Sequence, residues 1–365
     1  VTSITPSNPP TPPTPRTRDD TDARPSAQHP RVVSLLPSAT EIVCALDGRA
    51  QLVGRSHECE WPPTDPSGLA LDQVPVLTGA RTHFDVSQPG ASLAIDQQVR
   101  AMMDAQQALY TLDEARLEAL RPDVVITQDL CKVCSIDLAS VQRVVADIAR
   151  RTGSAPTLLA LNPETVEGVL DDVLRVGDAI GRAPEATALL TRLRERMYTL
   201  ADYANPFSDG TSVAFLEWCD PLFVGGHWTP QLIERAGCTH PLNPTRAIAN
   251  AGAAAGPIGQ SQRAAGKSVT LPASVLVASR PEHLIVCPCG LTLDQTRAEV
   301  AKLARTDWWP RVEAVRRGRV ALVDGNQHFN RPGPRLIEAY AWLVGWLNDR
   351  PDVIPEGFAW EAWRG

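Results

Sequence analysis

Short, almost wholly apolar runs recur along this chain, and a stretch with helical spacing follows nearly every one. "RVVSLLP", "QLVGRS", "DVVITQ" and "PTLLAL" fall in residues 31–161, and "SVAFLEW", "PEHLIVCPC" and "RVALVDG" in residues 206–350. Runs of this kind suit strands buried on both faces, and their alternation with amphipathic helices points to parallel sheets covered by helices. The expected fold class is therefore α/β, with two Rossmann-like lobes. Between them, residues 162–205 carry helical spacing, with Asn162 or Thr165 as cap and Pro184 marking a kink or a break between two helices. At 365 residues the chain is long enough for two such domains.

Local signals fill in the frame. "SATEIVCALDG" reads as a helix capped by Ser38 or Thr40 and stopped at Gly48, residues 95–120 as one long helix, and "IDLASVQRVVADIARRTG" as a helix ending in glycine. Residues 1–30, rich in Pro, Thr, Ser and charge, read as a disordered tail. Residues 245–270, rich in Ala and Gly, read as a flexible insertion in the second lobe, and 351–365 as a C-terminal tail. A net charge of −7 excludes a general nucleic-acid binder, which needs a basic face. Polar residues interrupt every apolar run well short of a membrane span. No apolar signal segment is visible, although the sequence begins at Val1 rather than Met, and the expected setting is cytoplasmic and reduced.

In open parallel sheets, ligands sit beyond the carboxyl ends of the strands. Six groups of chemistry-bearing residues fall there: Ser38 and Thr40; His57, Glu58 and Cys59; Asp129, Cys131 and Cys134; Glu217, Trp218, Cys219 and Asp220; Cys287 and Cys289; and His328, Phe329, Asn330 and Arg331. Each has a bland alternative. A lone cysteine beside a strand is commonly a small core residue, as expected for Cys44 and Cys238. "CKVC" suits a loop-shaping pair as well as a functional one, and "CPCG" is too tight for two thiolates on one tetrahedral zinc. His227 in "FVGGHW" follows two glycines that permit close backbone approach or simply a turn. The convergence favours one cleft between two lobes.

"RVVSLLPSATEIVCALDGRAQLVGRSHECEWPP", "LRPDVVITQ", "FLEWCDPLFVGGHWTPQLIERAG" and "HFNRPGPRLIEAYAWL" together resemble the substrate-binding proteins of iron–siderophore and cobalamin importers, the class III periplasmic-binding-protein-like family. The resemblance covers about residues 31–350 and is nearest to the cobalamin-binding subunit and its unsecreted, cysteine-containing relatives. It implies two lobes joined by a long rigid helix, a ligand between them, little hinge motion, and an ABC permease as partner. By the same resemblance, Glu58 lies near the place of a ligand-facing ring, Trp61 stands at a tyrosine, Phe223 keeps an aromatic ligand surface, and His328 replaces a tryptophan beside Phe329. Polar, metal-capable groups thus stand where two aromatic surfaces would be.

The leading expectation is a non-enzymatic binder of a metal-containing or metal-chelating small molecule, corrinoid, haem-like or siderophore-like. His57, Cys59, Cys131, Cys134 and Cys289 offer soft donors for a transition metal. Phe223, Trp228 and Phe329 offer surfaces for a flat ligand, and Arg331 or Arg335 a partner for a carboxylate. Two other readings stand beside it. One is a cytoplasmic enzyme pairing a cysteine nucleophile with a histidine, His57 with Cys59 or His227 with Cys131. The other is a zinc-stabilised structural domain.

Overall fold

A computed structural model of the chain describes residues 29–64, 68–82, 90–129, 136–204, 210–249 and 259–365. The Pro/Thr-rich segment up to residue 28, Cys131 and Cys134, and the middle of the Ala/Gly-rich insertion lie outside them.

Lobe 1 is built on β1 (Val32–Ser34), β2 (Leu52–Arg55), β5 (Val124–Gln128) and β6 (Thr157–Leu161), ordered β2-β1-β5-β6 and all parallel. Side chains alternate between the sheet faces. Val32 and Ile126 pack with Ile42 and Val43 of α1 (Pro37–Ala45) and with Leu46 just past it, whereas Val33 and Val125 pack with Val141, Val144 and Ile148 of α4 (Leu138–Thr152). Neither Ser38 nor Thr40 caps α1: Leu36 is the N-cap and Pro37 opens the helix, where its missing N–H costs nothing. The single helix expected over 95–120 is α2 (Ala91–Asp104), β4 (Tyr110–Leu112) and α3 (Glu114–Leu120). β4 pairs antiparallel with β3 (Thr78–Ala80). Gly153, at φ 73°, ends α4 as expected.

The link between lobes is a helical hairpin rather than one long helix. α5 (Val166–Ala179) starts with the Thr165 hydroxyl capping Gly168 N, and α6 (Ala183–Ala201) follows the break at Gly181 and Arg182. Each helix serves both lobes. Val166, Val169 and Leu170 of α5 lie in a lobe 2 core, and Val173 and Val176 in a lobe 1 core. α6 returns the other way, with Ala186 and Leu189 in the lobe 1 core and Met197 and Leu200 in the lobe 2 core. A tilt of one lobe against the other would open both cores at once, which fixes the lobes relative to each other.

Lobe 2 has six strands in the order β11-β8-β7-β12-β13-β14. Parallel β7 (Val213–Cys219), β12 (His283–Val286) and β13 (Val320–Val323) form the centre. Antiparallel β8 (Leu222–Val224), β11 (Val269–Thr270) and β14 (Trp360–Ala362) complete the edges. One face packs on the hairpin, α7 (Trp228–Arg235) and α11 (Leu336–Leu347); the other packs on α8 (Ala273–Ala278), α9 (Leu293–Leu303) and α10 (Glu313–Arg316). The expected C-terminal tail is thus an edge strand, and Phe358 lies in the core. The borders of the insertion are ordered too: β9 (Arg246–Ala247) pairs with β10 (Arg263–Ala264), and β11 joins the main sheet.

Candidate functional site

The loop after β2 is built on a polar network. The Thr40 hydroxyl lies 2.8 Å from Ser34 Oγ and 3.0 Å from Cys59 Sγ, with all three residues buried. Burial pushes the Cys59 thiol up to about 11, and it sits as a small buried group in this network. His57 Nδ1 lies 2.8 Å from Thr78 Oγ1, whose hydroxyl donates to Ser56 Oγ at 3.0 Å. His57 Nε2 lies 3.3 Å from Glu58 Oε1, an ion-pair approach without an aligned hydrogen bond. The imidazole holds the Glu58 carboxyl below its ordinary range, and Arg331 adds to this from across the seam. The ring of Tyr110 packs at 5.7 Å from that of His57.

On lobe 2, Glu217, Trp218, Phe223 and Cys289 are half-buried at the end of the sheet. His227 starts α7 at φ 52°, and burial lowers its basicity. The close approach that its two glycines permit is to the chain itself: a Cβ at Gly226 would meet Ser268 N at 2.3 Å. Two expected ligand surfaces are core instead. Phe329 is 1% exposed and packs on Phe215 and Trp342, while Trp228 is 8% exposed and donates from Nε1 to Phe329 O at 2.8 Å. Such large rings bury much apolar area, which favours the inward direction. His328 is turned to Glu338 at 3.0 Å and packs with its ring tilted against that of Phe358, centroids 4.5 Å apart. Asn330 donates to Gly325 O at 2.8 Å, tying the last loop to itself.

The two lobes meet along a polar seam. Arg335 donates to both oxygens of Glu41, at 3.1 and 2.5 Å, and to Gln327 at 2.6 Å, with its guanidinium 4.5 Å over the ring of Trp61. Glu41 and Arg335 are 3% and 8% exposed, so this is a buried, bidentate pair. Arg335 is therefore occupied and is not a free partner for a ligand carboxylate. Arg331, also buried, donates to Asn326 at 2.9 Å, and Asn326 reaches Glu60 at 3.3 Å. A third contact joins Gly90 and Ser92 of lobe 1 to Glu299 of lobe 2. Sequence reading did not find Glu41 or Glu299; the available signal was a charge set inside an otherwise apolar helix face.

Other expected site residues fall elsewhere. Ser38 is buried in α1, and Asp129 is exposed at the end of β5. Asp129 borders an open groove of about 490 Å³ that Met103, Tyr110, Asp137 and Ser140 also line. Among the described residues, no three His, Cys, Asp or Glu side chains converge to hold a metal ion. The enzyme reading loses its described nucleophile as well. Cys59, Cys219, Cys238 and Cys287 are buried thiols pushed up by desolvation, and His57 is engaged by Thr78 and Glu58. His227 with Cys131 falls outside the described residues. No described helix is long and apolar enough to cross a membrane.

No protein-family model matches the chain, and a search of curated proteins finds no match. Solved structures do match, over nearly the whole chain. The periplasmic haem-binding protein RhuT of Roseiflexus sp. RS-1 in apo form has a TM-score of 0.58 at 19% identity, covering 88% of this chain and 98% of its own. A periplasmic haem-binding protein of Pseudomonas aeruginosa has a TM-score of 0.59 at 20% identity, covering 88% and 93%. The periplasmic vitamin B12 binding protein BtuF of Vibrio cholerae has a TM-score of 0.56 at 14% identity, covering 89% and 98%. The chain shares their two-lobed α/β fold, as the sequence resemblance implied. The same matches stand against the expected cytoplasmic setting: these proteins of shared fold are periplasmic.

Proposed function

We propose that this protein is a solute-binding protein that holds a metal-chelate small molecule, of the haem, corrinoid or ferric-siderophore kind, between its lobes for delivery to an ABC permease. One observation carries the reading: the loops beyond the carboxyl edges of the two sheets meet across a single seam, Glu60 to Asn326 and Trp61 beneath Arg335, while the helical hairpin fixes the lobes. Proteins of the same fold that bind haem and vitamin B12 support the ligand class. Cys59 and His57 are engaged within lobe 1, so the reading places the metal in the ligand's own chelate. Half-buried His57 and Glu58 of lobe 1, with Glu217, Trp218, Phe223 and Cys289 of lobe 2, are the proposed contacts, and buried Arg331 supplies positive charge behind Glu58.

The test is a titration of purified protein with ferric haem, hydroxocobalamin and a ferric siderophore, followed by absorbance and calorimetry. The expected result is one saturable site for one of the three, with a Kd on the order of a micromolar or below. Folded protein that binds none of them sinks the proposal.

A further inference from the structure

Helix α2 is packed differently from the other long helices. α4, α5, α6, α9 and α11 each place apolar residues in a hydrophobic core cluster, and among the described residues α2 places none in one. Its sequence is nonetheless amphipathic: Ala91, Ser92, Ile95, Val99 and Met102 fall within a sector of about 100° at helical spacing. Ala91 and Ser92 are buried and Ile95, Val99 and Met102 half-buried, while Ala94, Gln97 and Ala101 on the other side are exposed. Among the described residues, the half-buried inward face of the helix belongs to none of the hydrophobic core clusters.

Its start is anchored on lobe 2, and its finish leads into β4, which pairs with β3 in lobe 1. At the start, Glu299 of α9, 2% exposed, accepts from Gly90 N at 2.8 Å and from the Ser92 hydroxyl. Gly90, at φ 91°, lies against Lys302, which pairs with Asp220 at 2.9 Å just past the end of β7. At the finish, Met103 joins Tyr110 and Asp129 in lining the groove of lobe 1. A helix of 14 residues, about 21 Å long, thus runs from one lobe to the other beside the carboxyl end of β7.

We infer that α2 is a strap across the interlobe seam, pinned to lobe 2 by Glu299, and that its Ile95, Val99 and Met102 face is the contact surface for an apolar face of the ligand. The ligand part rests on the proposed function. The three side chains point to the same side as Ser92, which touches lobe 2, so the face is continuous with the interlobe contact. Unbranched Met102 suits an apolar ligand of irregular outline.

Amide hydrogen exchange of the full protein, with and without ferric haem or hydroxocobalamin, tests both parts. Glu299→Ala removes a charged acceptor from two donors, so exchange in residues 91–104 rises about tenfold or more while α5 is unchanged. Ser92→Ala gives a smaller rise in the same segment and carries the comparison if the first variant does not fold. Unchanged exchange in α2 for a folded variant overturns the pin. Val99→Ser and Met102→Gln, which touch no core, weaken the bound probe about tenfold with unfolding unaltered. Wild-type affinity in both overturns the contact surface. A wild-type protein that binds neither probe sinks the contact surface along with the ligand reading for those two classes, while the exchange comparison still decides the pin.

Discussion

The two lobes share a plan and differ in what fills them. The bulkiest fully buried side chains of lobe 2 are Trp309, Trp342, Tyr340, Phe215 and Phe329, whereas those of lobe 1 are Leu35, Ile42, Leu46, Leu117 and Ile126. In lobe 2, Trp342 stacks on Phe358 and Trp346 and meets Phe329 and Trp360 edge-on. Lobe 1 instead invests its strand ends in the Ser34, Thr40 and Cys59 network and in the hydroxyls of Ser56 and Thr78. An aromatic core gives lobe 2 a stiff platform, and a buried hydroxyl and thiol network holds the strand ends of lobe 1 in place. The seam couples them through charges, which set geometry more sharply than apolar contact does.

Breaking the platform has the largest expected effect. Trp342→Ala leaves a cavity at the centre of the aromatic stack and lowers stability by about 5 kcal/mol in denaturant unfolding. The matching aliphatic truncation in lobe 1, Ile42→Ala, costs less; an equal or larger loss there would erase the contrast. Acid comes next. Burial lowers His240 and His283 of lobe 2 to about 4, so both are neutral when folded and take up protons only on unfolding. Their folded values are depressed, so the stability they contribute is present above pH 6.5 and lost as pH falls toward 4. Between pH 7 and 5 the two together remove about 4 kcal/mol. Asp172 on α5 runs the opposite way, since burial raises it to about 6 and the folded state binds its proton first, offsetting part of that loss. Hydrogen exchange at pH 5 is expected to open lobe 2 before lobe 1.

Glu41→Ala strands Arg335 in the seam and costs about 3 kcal/mol, the low end for a broken buried pair because Gln327 and Trp61 remain. The double variant Glu41→Leu with Arg335→Met restores most of this, because replacing a buried pair by apolar groups of similar size is close to neutral. If it does not, the pair contributes more than the filling of space. The smallest effect belongs to the lobe 1 network. Thr40→Val removes the bridge between Ser34 and Cys59 for about 1–2 kcal/mol, measured by chemical denaturation, and leaves the lobe 2 unfolding step unchanged.

Much of the fold was legible because seven central strands are apolar runs long enough to show themselves. The strands that escaped are short: β8, β11 and β14 have three residues or fewer, too few for a period, and β14 sat in a segment read as tail. Residues 95–120 read as one helix because Ala, Gln, Leu and Met favour helices throughout, and the turn at Gln106, φ 54°, has no glycine to announce it. The strand-end rule found the right loops but not the directions of side chains. It placed His57 and Glu58 at the strand ends, and it put Phe329 on a surface, as the flat-ligand reading did Trp228, when the sheet needed both as core. The pairing of Glu41 with Arg335 spans 294 positions in the chain, beyond the reach of any local pattern.

The cation resting on Trp61 gives the molecule an optical property. Of nine tryptophans, eight (Trp218, Trp228, Trp308, Trp309, Trp342, Trp346, Trp360 and Trp363) belong to lobe 2, and Trp61 alone belongs to lobe 1. Its indole is 42% exposed and lies under a guanidinium from the other lobe. Subtracting the emission spectrum of a Trp61→Phe protein from that of the natural one therefore isolates light from a single ring whose surroundings both halves of the molecule define together.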